Sequence, residues 1–372
     1  YFPAPNSYTG QDMVEFHLHG NPRLVRRFLE YLGKTGIRLA QPGEFTKRAL
    51  LNDKQDLLGV EALQDLMGAA TDTQVRQAQA RAGKTPAWIQ EAKDKIAFWT
   101  AQAEASIDYG EDEDINLELN ALKKDASELN AMFHVEQKRS DSAHWLRDGI
   151  KMAIVGRPNA GKSTLFNALA GEDRAIVTEL PGTTRDVLEI QCEWAGLPLH
   201  LFDTAGLRHT EDPLERLGIA RVEPVLERVD IILHLVPAPD KAPDTEILKR
   251  LLPYREKTIV VRNQCDLAVC DGICISALNG ILEPLEKALK QRFLEEFAPD
   301  ACLGALATER QRELLADLIK QMNLITDLPD NCPAELPASV LQGVWGLLSR
   351  LTGEDRADMV LNAMFSSFCL GK

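Results

Sequence analysis

Apolar and polar positions change period along this chain, and each change marks a change of expected structure. Residues 14–20 alternate, with Val14, Phe16 and Leu18 on one face, the two-residue period of a strand closed by a turn. Pro22 then opens a helical pattern through Leu24, Val25, Phe28, Leu29 and Leu32, with Gly33 as its stop. A short strand over 37–40 is expected before the Pro42-Gly43 turn. From about residue 54 the period is helical. Leu63, Leu66, Met67 and Ala70 fall at i, i+3, i+4 and i+7, and Leu119, Leu122, Ala126, Leu129 and Phe133 extend a similar stripe. Between them, Asp108, Glu111, Asp112, Glu113 and Asp114 read as a solvated acidic corner in preference to a cation site.

From residue 149 to about 297 short apolar runs take over, at 152–155, 199–202, 231–236, 259–262 and 273–275. Four of them suit the centre of a parallel sheet, buried on both faces. Residues 187–194 alternate instead, with Leu188, Ile190, Cys192 and Trp194 on one face, as an antiparallel edge strand does. Helical stripes return at Leu314, Leu318, Met322 and Ile325, and at Val340, Val344, Leu347, Leu348 and Leu351. Two helical blocks flanking an α/β segment predict a multidomain α+β chain: an α/β nucleotide domain inserted into one helical domain. The expected boundaries are 1–53 for a partial α/β domain, 54–148 and 299–372 for the two parts of the helical domain, and 149–298 for the insert.

Composition narrows this picture in three ways. At 372 residues and 45% hydrophobic content the chain is globular, with room for two or three domains. No apolar run approaches the ~20 residues of a membrane span, so membrane association is not expected. The start at Tyr1, within what reads as a domain, is expected to be a truncation. A net charge of −14 argues against broad electrostatic binding of nucleic acid, DNA included, while leaving room for a local basic patch. Seven cysteines, an odd number without a paired framework, suit free thiols of the cytoplasm. Cys270 and Cys274 lack neighbouring ligands at zinc-like spacing.

Chemistry enters at Gly156-Arg157-Pro158-Asn159-Ala160-Gly161-Lys162-Ser163, a G-x-x-x-x-G-K-S phosphate loop between the 152–155 run and a helix beginning near Thr164. Glycines let successive backbone N–H groups face a phosphate, and the helix N-terminus adds partial positive charge. Lys162 supplies charge for the β- and γ-phosphates, and the Ser163 hydroxyl suits Mg²⁺. Asp203-Thr204-Ala205-Gly206 follows the next apolar run; Asp203 suits the Mg²⁺ shell and the Gly206 N–H can sense the γ-phosphate. Between these motifs Thr183 and Thr184, before Arg185, suit a segment that closes over Mg²⁺. Asn263-Gln264-Cys265-Asp266 ends another strand and has the form N-K-x-D except that Gln264 replaces the usual lysine. The Asp266 carboxylate can accept from the paired guanine N–H groups, which adenine lacks. Ser276-Ala277-Leu278 follows the last strand, where backbone contact to the guanine O6 is expected. GTP is therefore favoured over ATP. Leu207 stands where many GTPases place a water-orienting glutamine. Glu215 is the nearest carboxylate available for that task, although from the residues alone it reads first as a surface helix position.

Together with Pro5-Asn6-Ser7-Tyr8-Thr9-Gly10, Pro42-Gly43-Glu44-Phe45, Leu51-Asn52-Asp53-Lys54, Gly182-Thr183-Thr184-Arg185-Asp186 and the terminal Cys369-Leu370-Gly371-Lys372, these residues resemble the MnmE (TrmE) family of tRNA modification GTPases over essentially the whole chain. The resemblance implies a Ras-like G domain inserted into the helical domain, and an N-terminal domain that binds tetrahydrofolate and builds a homodimer. It implies a flavoprotein partner, MnmG (GidA), in a heterotetramer or larger assembly. The pair would add an aminomethyl or carboxymethylaminomethyl group to C5 of the tRNA wobble uridine, with carbon from 5,10-methylene-tetrahydrofolate; the 5-formyl form serves as an analogue.

Carried onto this sequence, the family pattern implies GTP or GDP binding by Asn159, Ala160, Gly161, Lys162, Ser163, Thr164, Thr178, Thr183, Thr184, Asp203, Thr204, Ala205, Gly206, Asn263, Asp266, Ser276, Ala277 and Leu278. It implies Mg²⁺ on Ser163 and Thr184, K⁺ on Asn159, Thr178, Leu180 and Thr183, and folate at Glu15, Lys54 and Lys372. Glu215 would orient the attacking water, and Cys369 would be either a nucleophile or a small thiol packed near folate. A GTPase of ribosome assembly is the rival reading, but such proteins usually carry a basic RNA-binding module, and the C-x-G-K end is foreign to them.

Overall fold

The computed structural model describes all residues except 84, 110–116, 172–175, 178–188, 203–222, 241–244, 269–270, 295–296 and 355–372. The chain divides into two units. One comprises residues 1–67, 81–135 and 313–372, the other 68–80 and 136–312.

The first unit is helical. Its helices α1 (Pro22–Lys34), α2 (Glu44–Leu51) and α3 (Leu57–Gly68) precede the longer α5 (Ala87–Tyr109) and the first half of α6 (Leu119–Asp148). Most of α11 (Glu309–Thr326) and all of α12 (Glu335–Thr352) complete it. The core of α5 is Ile89, Ala92, Ile96, Trp99 and Ala103, a 3-4-3-4 spacing that holds one stripe inward, and this stripe packs on α12. The α12 stripe is Leu341, Val344, Leu348 and Leu351, so Leu341 takes the place expected of Val340, which is only partly buried. In α6 the predicted Leu122, Ala126, Leu129 and Phe133 are buried, with Trp88 edge-on to Phe133 at a centroid distance of 5.7 Å.

Two expectations fail in the N-terminal segment. Residues 14–20 and 37–40 form no strand; Met13, just before the first range, makes an isolated bridge to Phe2. A strand needs a neighbour to take its N–H and C=O groups, and alternation alone does not provide one. Val14, Phe16 and Leu18 are accordingly all exposed.

The second unit is built on a seven-stranded sheet of order β2-β3-β4-β1-β5-β6-β7. Its strands are β1 (Ile150–Gly156), β2 (Ile176–Val177), β3 (Glu189–Trp194), β4 (Leu197–Phe202), β5 (Ile231–Pro237), β6 (Thr258–Asn263) and β7 (Ile273–Cys274). From β4 to β7 neighbours run parallel, whereas β2 and β3 are antiparallel. The strand predicted at the edge, β3, is therefore covered on its outer side by β2. Its turn to β4 uses Ala195 and Gly196, both at positive φ, the two-residue connection that matches strand twist. β1 is central, with β4 on one side and β5 on the other. A ligand site is expected at the carboxyl ends of such strands, where the chain winds away in both directions.

Around the sheet lie α4 (Asp72–Arg81), the second half of α6, α7 (Lys162–Ala170), α8 (Glu223–Arg228), α9 (Thr245–Leu251) and α10 (Glu283–Leu294). The core takes in Met152, Ile154, Leu199, Leu201, Leu233, Leu235 and Val261 from the strands, and Leu165, Leu169, Leu285 and Leu289 from the helices. It also reaches Ala143 and Leu146 at the end of α6, and Cys302, Ala305 and Ala307 beyond α10.

Candidate functional site

The site is built at the end of β1. Gly156 is demanded by the sheet itself: a Cβ there would stand 2.4 Å from the Leu235 carbonyl oxygen on β5. The loop then turns through Asn159 at φ +63° and Gly161 at φ +88°, both left-handed, before α7 begins at Lys162. Asn tolerates that region better than other non-glycine residues. Gly161 is needed for space as well, since a Cβ would lie 2.2 Å from Asn263 Nδ2. Lys162 Nζ donates across the loop to the carbonyls of Gly156 at 2.9 Å and Arg157 at 2.6 Å. Asn159, Ser163 and Thr164 are exposed around the mouth, while Ala160 is fully buried beneath it.

Asn263, at the end of β6, holds three segments together. Its Nδ2 donates to the Ala160 carbonyl at 2.9 Å, and its Oδ1 accepts from the Ala277 N–H at 3.0 Å. Its own carbonyl accepts from Ala238 N–H at 2.6 Å, at the end of β5. With 3% exposure the amide is cut off from water, so these bonds have no solvent substitute. Gln264 follows at φ +65°, and this left-handed residue turns the chain so that Asp266 leaves the strand exposed. Ser276 Oγ donates to Asp266 Oδ1 at 2.7 Å and accepts from Asn279 Nδ2 at 3.0 Å, which fixes the aspartate's orientation. Cys265 N–H donates to the Ile275 carbonyl at 3.1 Å. The 263–266 and 276–278 segments are thus one rigid corner beside the phosphate loop. Leu278 is largely exposed at its rim. A further clamp joins Arg262 Nη1 to the Asp240 carbonyl at 2.7 Å, with the Asp240 carboxylate 4.0 Å from Arg157 of the loop.

A second cluster brings together motifs from residues 5–10 and 51–54. Asn52 Nδ2 donates to the Thr9 carbonyl at 2.7 Å, and Tyr8 Oη lies 2.9 Å from Thr46 Oγ1 on α2. Gly10, at φ +73°, lies against the Lys54 stem; a Cβ there would meet Lys54 Cγ at 3.2 Å. Glu44 is gripped by Arg38 and Arg48, with Nη2 atoms at 2.6 and 2.8 Å from Oε1, and by the Gln41 N–H at 2.9 Å. These donors, Arg38 foremost, hold its carboxyl well below the usual carboxylate range. Glu15 is exposed, 3.5 Å from His17 Nε2.

Of the residues expected to act, Asn159, Ala160, Gly161, Lys162, Ser163, Thr164, Asn263, Asp266, Ser276, Ala277 and Leu278 belong to this one corner of the sheet. Thr178, Leu180, Thr183, Thr184, Asp203, Thr204, Ala205, Gly206, Glu215, Cys369 and Lys372 lie outside the described residues. The Asn263 clasp and the Arg262–Asp240 clamp were not anticipated. Their only sequence signal is the asparagine of the N-Q-C-D motif.

A phosphate loop at the switch point of a mostly parallel sheet, with an N-x-x-D strand end clasped to it, defines the G domain of a Ras-like P-loop GTPase. Residues 57–369 match the family profile described as "MnmE helical domain", and residues 1–54 match "GTP-binding protein TrmE N-terminus". The chain is 38% identical to the tRNA modification GTPase MnmE of Laribacter hongkongensis, over 100% of this chain and 85% of the relative. It is 38% identical to the protein of the same name from Bordetella petrii, with the same shares covered. Among solved structures, the G domain of the T. maritima FeoB iron transporter is 27% identical, with a TM-score of 0.30, covering 38% of this chain and 97% of that one. The chain belongs to the MnmE family of tRNA modification GTPases.

Proposed function

We propose that the protein hydrolyses GTP to drive modification of tRNA at C5 of the wobble uridine. A flavoprotein of the MnmG type would be its partner and a tetrahydrofolate one-carbon unit its carbon source. The observation that carries the reading is the match to relatives named tRNA modification GTPase over the whole chain, centred on a phosphate loop and a guanine-type corner joined by Asn263. In this reading the backbone N–H groups of 159–164 and Lys162 cradle the phosphates. Asp266, already held by Ser276, accepts from the guanine edge, and Ala277 and Leu278 border its O6. Thr178, Thr183, Thr184, Asp203, Thr204, Ala205 and Gly206 complete the nucleotide site.

The donors suit hard cations. Ser163, exposed in the first turn of α7, and Asn159, exposed on a left-handed loop residue, both offer neutral oxygen ligands. Ser163 with Thr184 would hold Mg²⁺, and Asn159 with Thr178, Leu180 and Thr183 would hold K⁺. Bound there, a cation neutralises charge that develops between the β- and γ-phosphates. Leu207 cannot orient water, so Glu215 takes that role, by position more than by pKa. Folate would contact Glu15, Lys54 and Lys372, with Cys369 close by. The Gly10–Lys54 packing supports this, because it presents Lys54 from a fixed base. Homodimerisation through the N-terminal domain, G domains meeting across their nucleotide faces, and a cytoplasmic location belong to the same proposal.

GTP turnover measured in K⁺ and in Na⁺ tests the cation site: a rate at least tenfold higher in K⁺ is expected, and equal rates would remove it. Glu215→Ala is expected to keep GTP affinity and to lose hydrolysis by about 10²-fold or more. Unchanged turnover in that variant refutes the role of Glu215.

A further inference from the structure

The chain carries a net charge of −14, yet residues 1–54 hold eight Lys and Arg against five Asp and Glu. Half of these cations lie on α1. Arg23, Arg26, Arg27 and Lys34 fall within about a third of the helix circumference, opposite Leu24, Val25, Phe28, Leu29 and Leu32. All four are exposed. Among the described residues none of the four has an ion-pair partner. Several arginines elsewhere are ion-paired: Arg38 and Arg48 bind Glu44, Arg81 binds Asp65, and Arg312 binds Asp141. The one acid on the basic face is Glu30, which makes no salt bridge with its helix neighbours. The face therefore keeps a net excess of three positive charges over about three helical turns, in a chain of net negative charge.

We propose that this face of α1 docks the phosphate backbone of tRNA. The proposal rests on the reading of tRNA as the substrate. Spaced guanidinium groups without internal partners suit phosphate contacts, which set register and orientation and leave base recognition to other surfaces. An anionic membrane is the competing occupant, since α1 is amphipathic. Its apolar side is partly taken, however. Leu24, Val25 and Leu29 are exposed, but Phe28 and Leu32 are half-buried, and Phe16 stands edge-on to Phe28 with ring centroids 5.0 Å apart.

The test is equilibrium binding of unmodified tRNA to the full chain across a KCl series. Each phosphate contact contributes about 0.7–0.9 to the slope of log K against log salt. The triple variant Arg23→Gln, Arg26→Gln, Arg27→Gln is expected to lower that slope by about 2–3. It should also weaken binding at least tenfold at moderate salt, with GTP turnover unchanged as evidence of folding. Glu30→Gln, which removes the acid from the face, is expected to tighten binding and steepen the slope. Identical slopes for the triple variant and the unaltered chain overturn the docking surface. Binding of phosphatidylserine vesicles that is lost in the triple variant, with tRNA binding intact, assigns the face to a membrane and overturns it as well. Failure of the unaltered chain to bind tRNA at any salt instead removes the tRNA reading itself, and the docking surface with it.

Discussion

At the scale of single residues, Asn263 does more for the site than any base-reading letter among the described residues. Its amide occupies a buried gap between the phosphate loop and the 276–278 segment, with both ends bonded. Asn263→Ala leaves the Ala160 carbonyl and the Ala277 N–H without partners in a dry site, each costing roughly 1–3 kcal/mol. GDP affinity, measured with a fluorescent analogue, is expected to fall by about 10–100-fold. Asn263→Asp keeps an acceptor for Ala277 but puts a carboxylate against the Ala160 carbonyl, and should be at least as damaging. The phosphate loop was legible in the sequence because its chemistry is local: glycines, lysine and serine act within one turn of chain. The Asn263 clasp was not legible, since its partners come from segments about a hundred residues before it and fourteen after it. For the same reason Gln264 was readable as a departure from the usual lysine, whereas its left-handed backbone was not.

At the scale of elements, two local devices near the N-terminal motifs fix how helices begin and end. Glu44 opens α2 and is shared by Arg38, Arg48 and the Gln41 N–H. Because its folded-state pKa is depressed, its stabilising contribution is fully present above the unfolded value of about 4.3 and is lost as pH falls through the lower folded value. Glu44→Gln should therefore lower the urea midpoint at pH 7. The difference from the unaltered chain should shrink steadily below about pH 4. A gap that persists undiminished at acid pH would show that packing, and not charge, is what Glu44 supplies. Gly353 ends α12 at φ +84°, and a Cβ there would stand 2.5 Å from Leu57 Cβ at the start of α3. Gly353→Ala combines left-handed strain with a backbone-to-core clash and is expected to cost about 2–4 kcal/mol in a thermal melt. Helices were legible where apolar stripes ran for several turns, as in α6 and α11. The expected strands at 14–20 and 37–40 were not formed, because alternation states which face a strand would bury but not which segment would pair with it.

At the scale of the molecule, the insertion of an α/β unit into a helical one was legible from the order of periodicities, but the extent of its core was not. From its motifs the nucleotide-binding segment was expected to span residues 149–298. Yet the sheet's core also includes Ala143 and Leu146 before it and Cys302, Ala305 and Ala307 after it, all essentially inaccessible to solvent. Trp145 stacks edge-on against Phe293 of α10 at 5.0 Å, and Ser142 Oγ donates to the Leu294 carbonyl at 3.2 Å. Arg139 donates to the Ala301 and Leu303 carbonyls, and Arg312 pairs with Asp141 at 2.7 Å, so the strand-flanking segments also hold each other. Burial of this kind pushes the Cys302 thiol up in pKa and keeps it protonated. A fragment of residues 149–298 removes these side chains and exposes the Phe293 and Leu294 side of α10. A fragment of residues 136–312 retains them. Leucine- and tryptophan-sized losses from a core each cost roughly 2–5 kcal/mol. The longer fragment is therefore expected to unfold cooperatively at a clearly higher urea concentration and to bind GDP, whereas the shorter one should be marginal or unfolded. Equal midpoints for the two would mean that the α6 end and the 299–312 segment merely lie on the sheet unit. A higher midpoint for the longer fragment would make them part of it, so that the nucleotide domain and the helix entering it fold as one body.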